Sequence, residues 1–120
     1  MGRRIGIASI DGVLINEHFG RSRWFYIIDL EPDGSSAVFE RRPVTPLCRC
    51  GAHSEEGMAE VFAALKDCDA VLAAKIGPGA RRYFEERGVA VFEGPLAIEE
   101  AARKLAAYYA VSDGSKRRPV

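Results

Sequence analysis

The sequence predicts an α/β fold in a single domain, with a mixed sheet of about five strands and helices packed on it. After residue 54 strand and helix patterns alternate, which is typical of parallel strands joined by helical crossovers. Before it, two strand-like segments flank the turn Glu31-Pro32-Asp33-Gly34, which indicates an antiparallel hairpin. The predicted order is β-β-β-α-β-α-β-α. The 120 residues fit one domain over 1–110, followed by a disordered basic tail over 111–120.

The first half contains the three predicted strands. Residues 5–9 form a short apolar run, and Asp11-Gly12 is a turn signal. Residues 13–23 form a polar loop. Residues 24–30 are rich in aromatic and β-branched side chains, and residues 37–42 form the returning strand of the hairpin.

The second half opens with a proline-bearing loop over residues 43–54 and a helix that Ser54 can cap. A buried strand over 70–74, a short helix ended by Gly88 and a strand over 89–92 follow. The last helix begins near Ile98. Apolar residues recur at helical spacing in each predicted helix, notably at Met58, Val61, Phe62, Leu65, Ala80, Tyr83, Phe84, Ala101, Ala102, Leu105 and Tyr108.

Composition excludes several classes of function. The 17 Lys and Arg residues balance the 17 Asp and Glu residues, so the basic excess of a nucleic-acid-binding protein is absent. No segment has the length of a signal peptide or a membrane span, so we expect a cytoplasmic protein. Three cysteines in a reducing compartment are expected to be thiols or metal ligands. No Ser-His-Asp pattern is apparent, and a carboxylate set of Asp11, Asp29 and Asp69 for phosphoryl chemistry fits the predicted elements poorly, so we expect no enzyme activity.

Cys48, Cys50 and His53 are the sharpest candidates for metal ligands, since they lie within six residues on the proline-bearing loop. Thiolates suit iron–sulfur clusters, zinc and copper(I), and imidazole suits zinc, iron and copper. Three ligands leave a coordination position open, which favours transfer over a closed structural site. His18 is a fourth candidate if its loop meets this one. The alternatives are two incidental loop thiols and an exposed loop histidine.

Four residues are candidates for supporting such a pocket. Glu17 and Arg21 flank His18 and can orient a ligand by hydrogen bonds, or are plain surface charge. Gly77 and Gly79 precede a helix whose start can bind an anion, although a tight turn explains them equally well. Cys68, between a helix and a buried strand, is expected to be a core thiol.

Two segments resemble the dinitrogenase iron–molybdenum cofactor biosynthesis family, which includes NifX, NafY and the C-terminal part of NifB. Asn16-Glu17-His18-Phe19-Gly20-Arg21-Ser22, followed by an aromatic strand, is similar to its first motif. Ile76-Gly77-Pro78-Gly79-Ala80, with Gly88-Val89-Ala90-Val91-Phe92 and the last helix, is similar to its second half. The resemblance covers residues 3–108, and the Cys-x-Cys-x-x-His loop is not shared by all members.

The resemblance implies a ribonuclease H-like fold and a carrier of an iron–sulfur or iron–molybdenum cluster that acts without catalysis. It implies partners that make or accept metal clusters, and it places His18 at the cluster site. A second hypothesis is a small regulatory module whose loop thiols sense redox state or zinc. The oligomeric state and the link to nitrogenase stay open at this point.

Overall fold

The computed structural model describes residues 3–31, 33, 35–44 and 55–117. Within these residues, five strands and three helices follow one another, with a short 3-10 helix at Phe19–Arg21 between the first two strands. Their bounds are β1 Arg3–Ile7, β2 Trp24–Leu30, β3 Ser36–Pro43, α1 Glu55–Leu65, β4 Ala70–Ala73, α2 Pro78–Glu86, β5 Ala90–Glu93 and α3 Ile98–Arg117.

The five strands form one mixed sheet in the order β3-β2-β1-β4-β5. β1 pairs antiparallel with β2 and parallel with β4, and Ile7 lies between Tyr26 and Leu72 in the register. β2 and β3 form the antiparallel hairpin, with a bulge at Ile27–Ile28, and β4 and β5 run parallel. The predicted single α/β domain, with a mixed sheet and three helices, is therefore confirmed.

Helices cover both faces of the sheet. α1 and α2 pack on one face, around buried residues such as Phe25, Leu65 and Phe84. α3 packs on the other face, against Ile5, Ile7 and Leu72 among others. Gly6 allows the close approach of α1 to β1, because a Cβ there would lie 3.0 Å from a methyl group of Leu65. The three-layer arrangement leaves loops and strand ends to form any binding site.

The helix ends follow local chemistry. Pro78 occupies the first turn of α2, where its missing N–H costs nothing. Gly88 after α2 has a φ of +88°, a conformation that glycine adopts without strain. α3 runs to Arg117, past the predicted boundary at residue 110, and no proline interrupts the chain before Pro119. Residues 111–117 are thus helical in the structure, whereas residues 118–120 lie outside its described part.

None of the described helices combines the length and apolarity that crossing a membrane requires. α3 is the longest of them at 20 residues, and its first two turns carry Glu99, Glu100, Arg103 and Lys104.

Candidate functional site

Strand directions bring several predicted site residues to one edge of the sheet. β1, β4 and β5 are parallel, so their carboxyl ends share this edge. β2 begins at the same edge and β3 ends there, since Trp24 pairs with Pro43. We call it the carboxyl edge. It is the usual position of binding sites in open α/β sheets.

The His18 loop is fixed along the chain that follows β4. Phe19 donates its backbone N–H to the carbonyl of Lys75 at 2.9 Å, and Ala74 donates to the carbonyl of Glu17 at 3.0 Å. The Phe19 side chain is buried, and its ring centroid lies 5.4 Å from that of Phe25. His18 itself is exposed and makes no capping hydrogen bond with its side chain. The backbone that carries the exposed His18 imidazole is thus held in place by the buried Phe19 side chain and by the two backbone hydrogen bonds.

Glu17 and Arg21 line a cavity of about 360 Å³ at the carboxyl edge. Ser9 after β1 and Trp24 at the start of β2 form other parts of its wall. Ser22 also lines it, and its buried hydroxyl donates to the Trp24 carbonyl at 2.6 Å. The structure therefore brings two predicted supporting residues together with wall residues that the sequence did not predict as part of a site. The complete lining is Ser9, Ile10, Glu17, Arg21, Ser22, Arg23 and Trp24.

Gly77 and Gly79 lie at the same edge but outside this cavity. α2 begins between them, so its positive end faces the carboxyl edge. A Cβ at either glycine would meet no atom within 4 Å. Open space therefore lies in front of both, and close packing does not explain why they are glycines.

Three cations without an ion pair lie on or beside the His18 loop. Within the described ranges, Arg21, Arg23 and Lys75 have no carboxylate at ion-pair distance, and all three are exposed. Of the other cations whose side chains the structure describes, seven pair with carboxylates (Arg3, Arg4, Arg42, Arg81, Arg87, Arg103 and Lys104), whereas Arg41, Lys66 and Arg82 do not. The chain has no net charge, yet this edge is suited to an anionic ligand.

Trp24 is a residue of this edge that the sequence pattern predicted only as part of the sheet. The guanidinium of Arg41 lies 4.5 Å from the centre of its ring. Its Nε1 is shielded from solvent and has no hydrogen-bond acceptor among the residues that the structure describes. A sequence signal existed, since Arg21 and Arg23 alternate with polar and aromatic residues directly before the strand.

Cys48, Cys50 and His53 lie outside the described residues. The neighbouring described residues reach the carboxyl edge: Val44 donates its N–H to the carbonyl of Arg23 at 2.8 Å. The end of α1 leads to the amino end of β4, where the backbone N–H of Asp69 donates to the carbonyl of Arg4. Convergence of His18 with the Cys48–His53 loop stays a prediction. In the described part of the chain, no three His, Cys, Asp or Glu side chains form a group able to hold a metal ion.

Cys68 is buried in the core beneath α1, as predicted. Burial, with a smaller contribution from the charge of Asp67, raises the pKa of the Cys68 thiol to about 12. The thiolate that metals require is therefore disfavoured at neutral pH. Cys68 is a packing residue.

Comparisons with known proteins agree on one family. The family model described as dinitrogenase iron-molybdenum cofactor matches residues 1–108. The FeMo cofactor biosynthesis protein NifB of Azotobacter vinelandii is 33% identical over 109 residues, which are 88% of this chain and 21% of that protein. NifB of Herbaspirillum seropedicae is 43% identical over 75 residues, covering 62% of this chain and 14% of the relative. The chain spans about a fifth of the curated relatives that it matches.

Solved structures show a similar fold. The crystal structure of the protein PH0822 has a TM-score of 0.63 and 26% identity, covering 88% of this chain and 91% of that one. A structure from Methanocaldococcus jannaschii has a TM-score of 0.56 at 12% identity, covering 90% of this chain and 91% of that one, and supports the fold alone.

Proposed function

Because the chain belongs to the dinitrogenase iron–molybdenum cofactor family, we propose that it binds and carries an iron–sulfur or iron–molybdenum cluster without performing catalysis. The observation that carries the proposal is the carboxyl edge, where an open cavity and an exposed histidine lie beside unpaired cations. Metal–sulfur clusters with thiolate ligands are anionic, so this charge favours their retention.

The cluster is proposed to be held by His18 on one side and by Cys48, Cys50 and His53 on the other. Thiolate and imidazole are ligands of suitable softness for iron in such clusters. The anchored Phe19 supports this role for His18, because it fixes the backbone that carries an otherwise free imidazole.

Glu17, Arg21, Gly77 and Gly79 are proposed to support the bound cluster. Glu17 and Arg21 line the cavity, where the Glu17 carboxylate can accept hydrogen bonds from groups on the cargo and the Arg21 guanidinium can donate them. Gly77 and Gly79 leave the start of α2 open, so an anionic part of the cargo can approach its backbone N–H groups.

We further propose that the fold is ribonuclease H-like, supported by the sheet order β3-β2-β1-β4-β5 with only β2 antiparallel to the rest. The open cavity suits exchange, so the partners are proposed to be proteins that make or accept metal clusters. A cytoplasmic location is proposed, because thiol ligands and metal clusters persist in reducing compartments.

Anaerobic reconstitution with iron, sulfide and molybdate tests the proposed function. We expect visible charge-transfer absorption and bound metal, both lost when Cys48→Ser and Cys50→Ser are combined and reduced in His18→Ala. The matched control is Cys68→Ala, whose buried thiol is no ligand and whose cluster content should equal that of the wild type. A colourless protein that takes up one equivalent of zinc would instead favour the regulatory module.

A further inference from the structure

Lys75 is attached through its backbone to the loop that carries His18, the proposed cluster ligand. A parallel β-bridge joins His18 and Lys75. Two backbone hydrogen bonds flank this bridge: Phe19 donates to the Lys75 carbonyl at 2.9 Å, and Ala74 donates to the Glu17 carbonyl at 3.0 Å. Adjacent strands lie about 4.8 Å apart, so the His18 and Lys75 side chains start from neighbouring points of the backbone.

Burial indicates that these two side chains project on the same side. Successive side chains along extended backbone point to opposite faces. Phe19 and Ile76, which follow His18 and Lys75 in the chain, are 2% and 6% exposed and belong to one core cluster. His18 and Lys75 are both exposed, so both project away from that core. The Lys75 ammonium, on its flexible four-carbon stem, can therefore reach a ligand bound at the His18 imidazole.

The charge of Lys75 is available to such a ligand. Within the described ranges, no carboxylate lies at ion-pair distance from Lys75. Glu93 on the adjacent β5 pairs with Ala73, two residues before Lys75, but its carboxylate accepts a hydrogen bond from Arg81 at 2.9 Å. The acidic side chain at the end of the neighbouring strand is thus held by another cation. An exposed ammonium without a counter-ion attracts an anionic ligand.

A cation beside a metal cluster favours the more negatively charged oxidation state of that cluster. One-electron reduction adds one negative charge to the cluster, so its attraction to a nearby ammonium increases. Net charge is among the factors that set the reduction potentials of iron–sulfur clusters. By thermodynamic linkage, a site that stabilises the reduced cluster binds it more tightly than the oxidised cluster by the same free energy.

On the basis of the proposed carrier function, we propose that Lys75 contacts the cluster bound at His18 and makes the carrier selective for the reduced cluster. Lys75 stabilises the charge that reduction adds, so the cargo is released more readily once it is oxidised. The electron lost in that oxidation passes to a one-electron acceptor, and this transfer makes and breaks no covalent bond. Lys75 is thus a specificity-determining residue, whereas His18 is the ligand.

Anaerobic potentiometric titration of the loaded full chain, with mediator dyes, tests the proposal. Two unit charges about 4 Å apart in a water-like medium favour the reduced state roughly fivefold. Lys75→Gln should therefore lower the reduction potential of the cluster by about 40 mV, since tenfold corresponds to about 59 mV for one electron. Lys75→Arg keeps the charge and should retain the wild-type potential.

Lys66→Gln is the matched control. Lys66 is also an exposed lysine without an ion pair in the described part of the chain, but it follows the end of α1, away from the carboxyl edge. Its substitution should leave the reduction potential unchanged.

Release of the cluster to an iron chelator, compared between reduced and oxidised protein, gives a second readout. The ratio of the oxidised to the reduced release rate should fall about fivefold in Lys75→Gln, because differences in affinity lie mostly in dissociation rates. Potentials and release ratios that are equal in wild type and Lys75→Gln would overturn the role of Lys75 and leave the carrier proposal standing. A Lys75→Arg variant that behaves like Lys75→Gln would also overturn it. A wild-type chain that loads no cluster would overturn both proposals.

Discussion

At the residue scale, His18 and Phe19 are neighbours in opposite environments. The Phe19 side chain is 2% exposed and lies edge-on to Phe84, with ring centroids 5.3 Å apart. His18 is exposed, and the parallel bridge to Lys75 involves only its backbone. Phe19 therefore stabilises the fold, while the neighbouring His18 is accessible for its proposed role as a cluster ligand.

Substitutions at these two positions should have opposite effects. Phe19→Ala should lower the free energy of unfolding by about 3–5 kcal/mol, the usual loss for a buried aromatic ring. His18→Ala should change it by less than about 0.5 kcal/mol while reducing cluster binding. Urea denaturation measured beside reconstitution checks both. A large loss of stability in His18→Ala would contradict the assignment.

At the element scale, one arginine ties the hairpin to the end of α1. Arg42 on β3 donates to the carbonyl of Ala64 at 2.8 Å and to both oxygens of Asp67, at 2.6 and 2.9 Å. Arg4 on β1 donates to Asp67 as well, at 3.1 Å. Hydrogen bonds from Arg42, and then from Arg4, hold the pKa of Asp67 well below its usual range. The cluster joins β1, β3 and α1 at one carboxylate.

Asp67→Asn should therefore lower the free energy of unfolding at neutral pH and lower it by less at acidic pH. A carboxyl with a lowered pKa contributes stability above its unfolded pKa of about 4, and that contribution is lost as pH falls below it. We expect a loss of about 1 kcal/mol at pH 7, modest because the Asp67 side chain is 42% exposed. Urea denaturation at a series of pH values from 7 downward measures it.

Glu60→Gln is the matched control for Asp67, since Glu60 is an exposed carboxylate on α1. Its effect should be within about 0.5 kcal/mol at every pH. The difference in the free energy of unfolding between the wild type and Asp67→Asn should shrink below pH 4. If it stays constant there, the ionised carboxylate is not the stabilising form.

The elements themselves were largely predictable, because their signals are local. The aromatic and β-branched residues of Trp24–Leu30 and the helical spacing of Val61 and Leu65 act over a few positions. The end of α3 was predicted too early. Ser112, Asp113 and Gly114 favour a helix end, but they do not forbid continuation as proline would.

At the scale of the whole molecule, the order and direction of the strands determine which residues meet at the carboxyl edge. The sequence predicts only part of that order. Alternating strands and helices predict that the chain after β4 meets the chain after β1. The reversed β2, which adds Trp24 to the same edge, depends on hairpin pairing. Whether Arg21, Arg23 and Lys75 form ion pairs depends on where the carboxylates lie in space. The equal numbers of acidic and basic residues in the composition therefore could not predict it.

Trp24 is the chain's single tryptophan, so its fluorescence reports on this edge alone. Loading a coloured cluster beside the cavity should quench that fluorescence, and raising the salt concentration should weaken binding, because screening reduces the attraction of exposed cations for an anion.

Arg21→Gln with Arg23→Gln should weaken binding by about tenfold, the equivalent of roughly 0.7 kcal/mol for each exposed charge. Lys66→Gln, an exposed charge beyond the end of α1, should change nothing. Quenching that is equal in all three proteins and insensitive to salt would show that the cluster binds away from these cations.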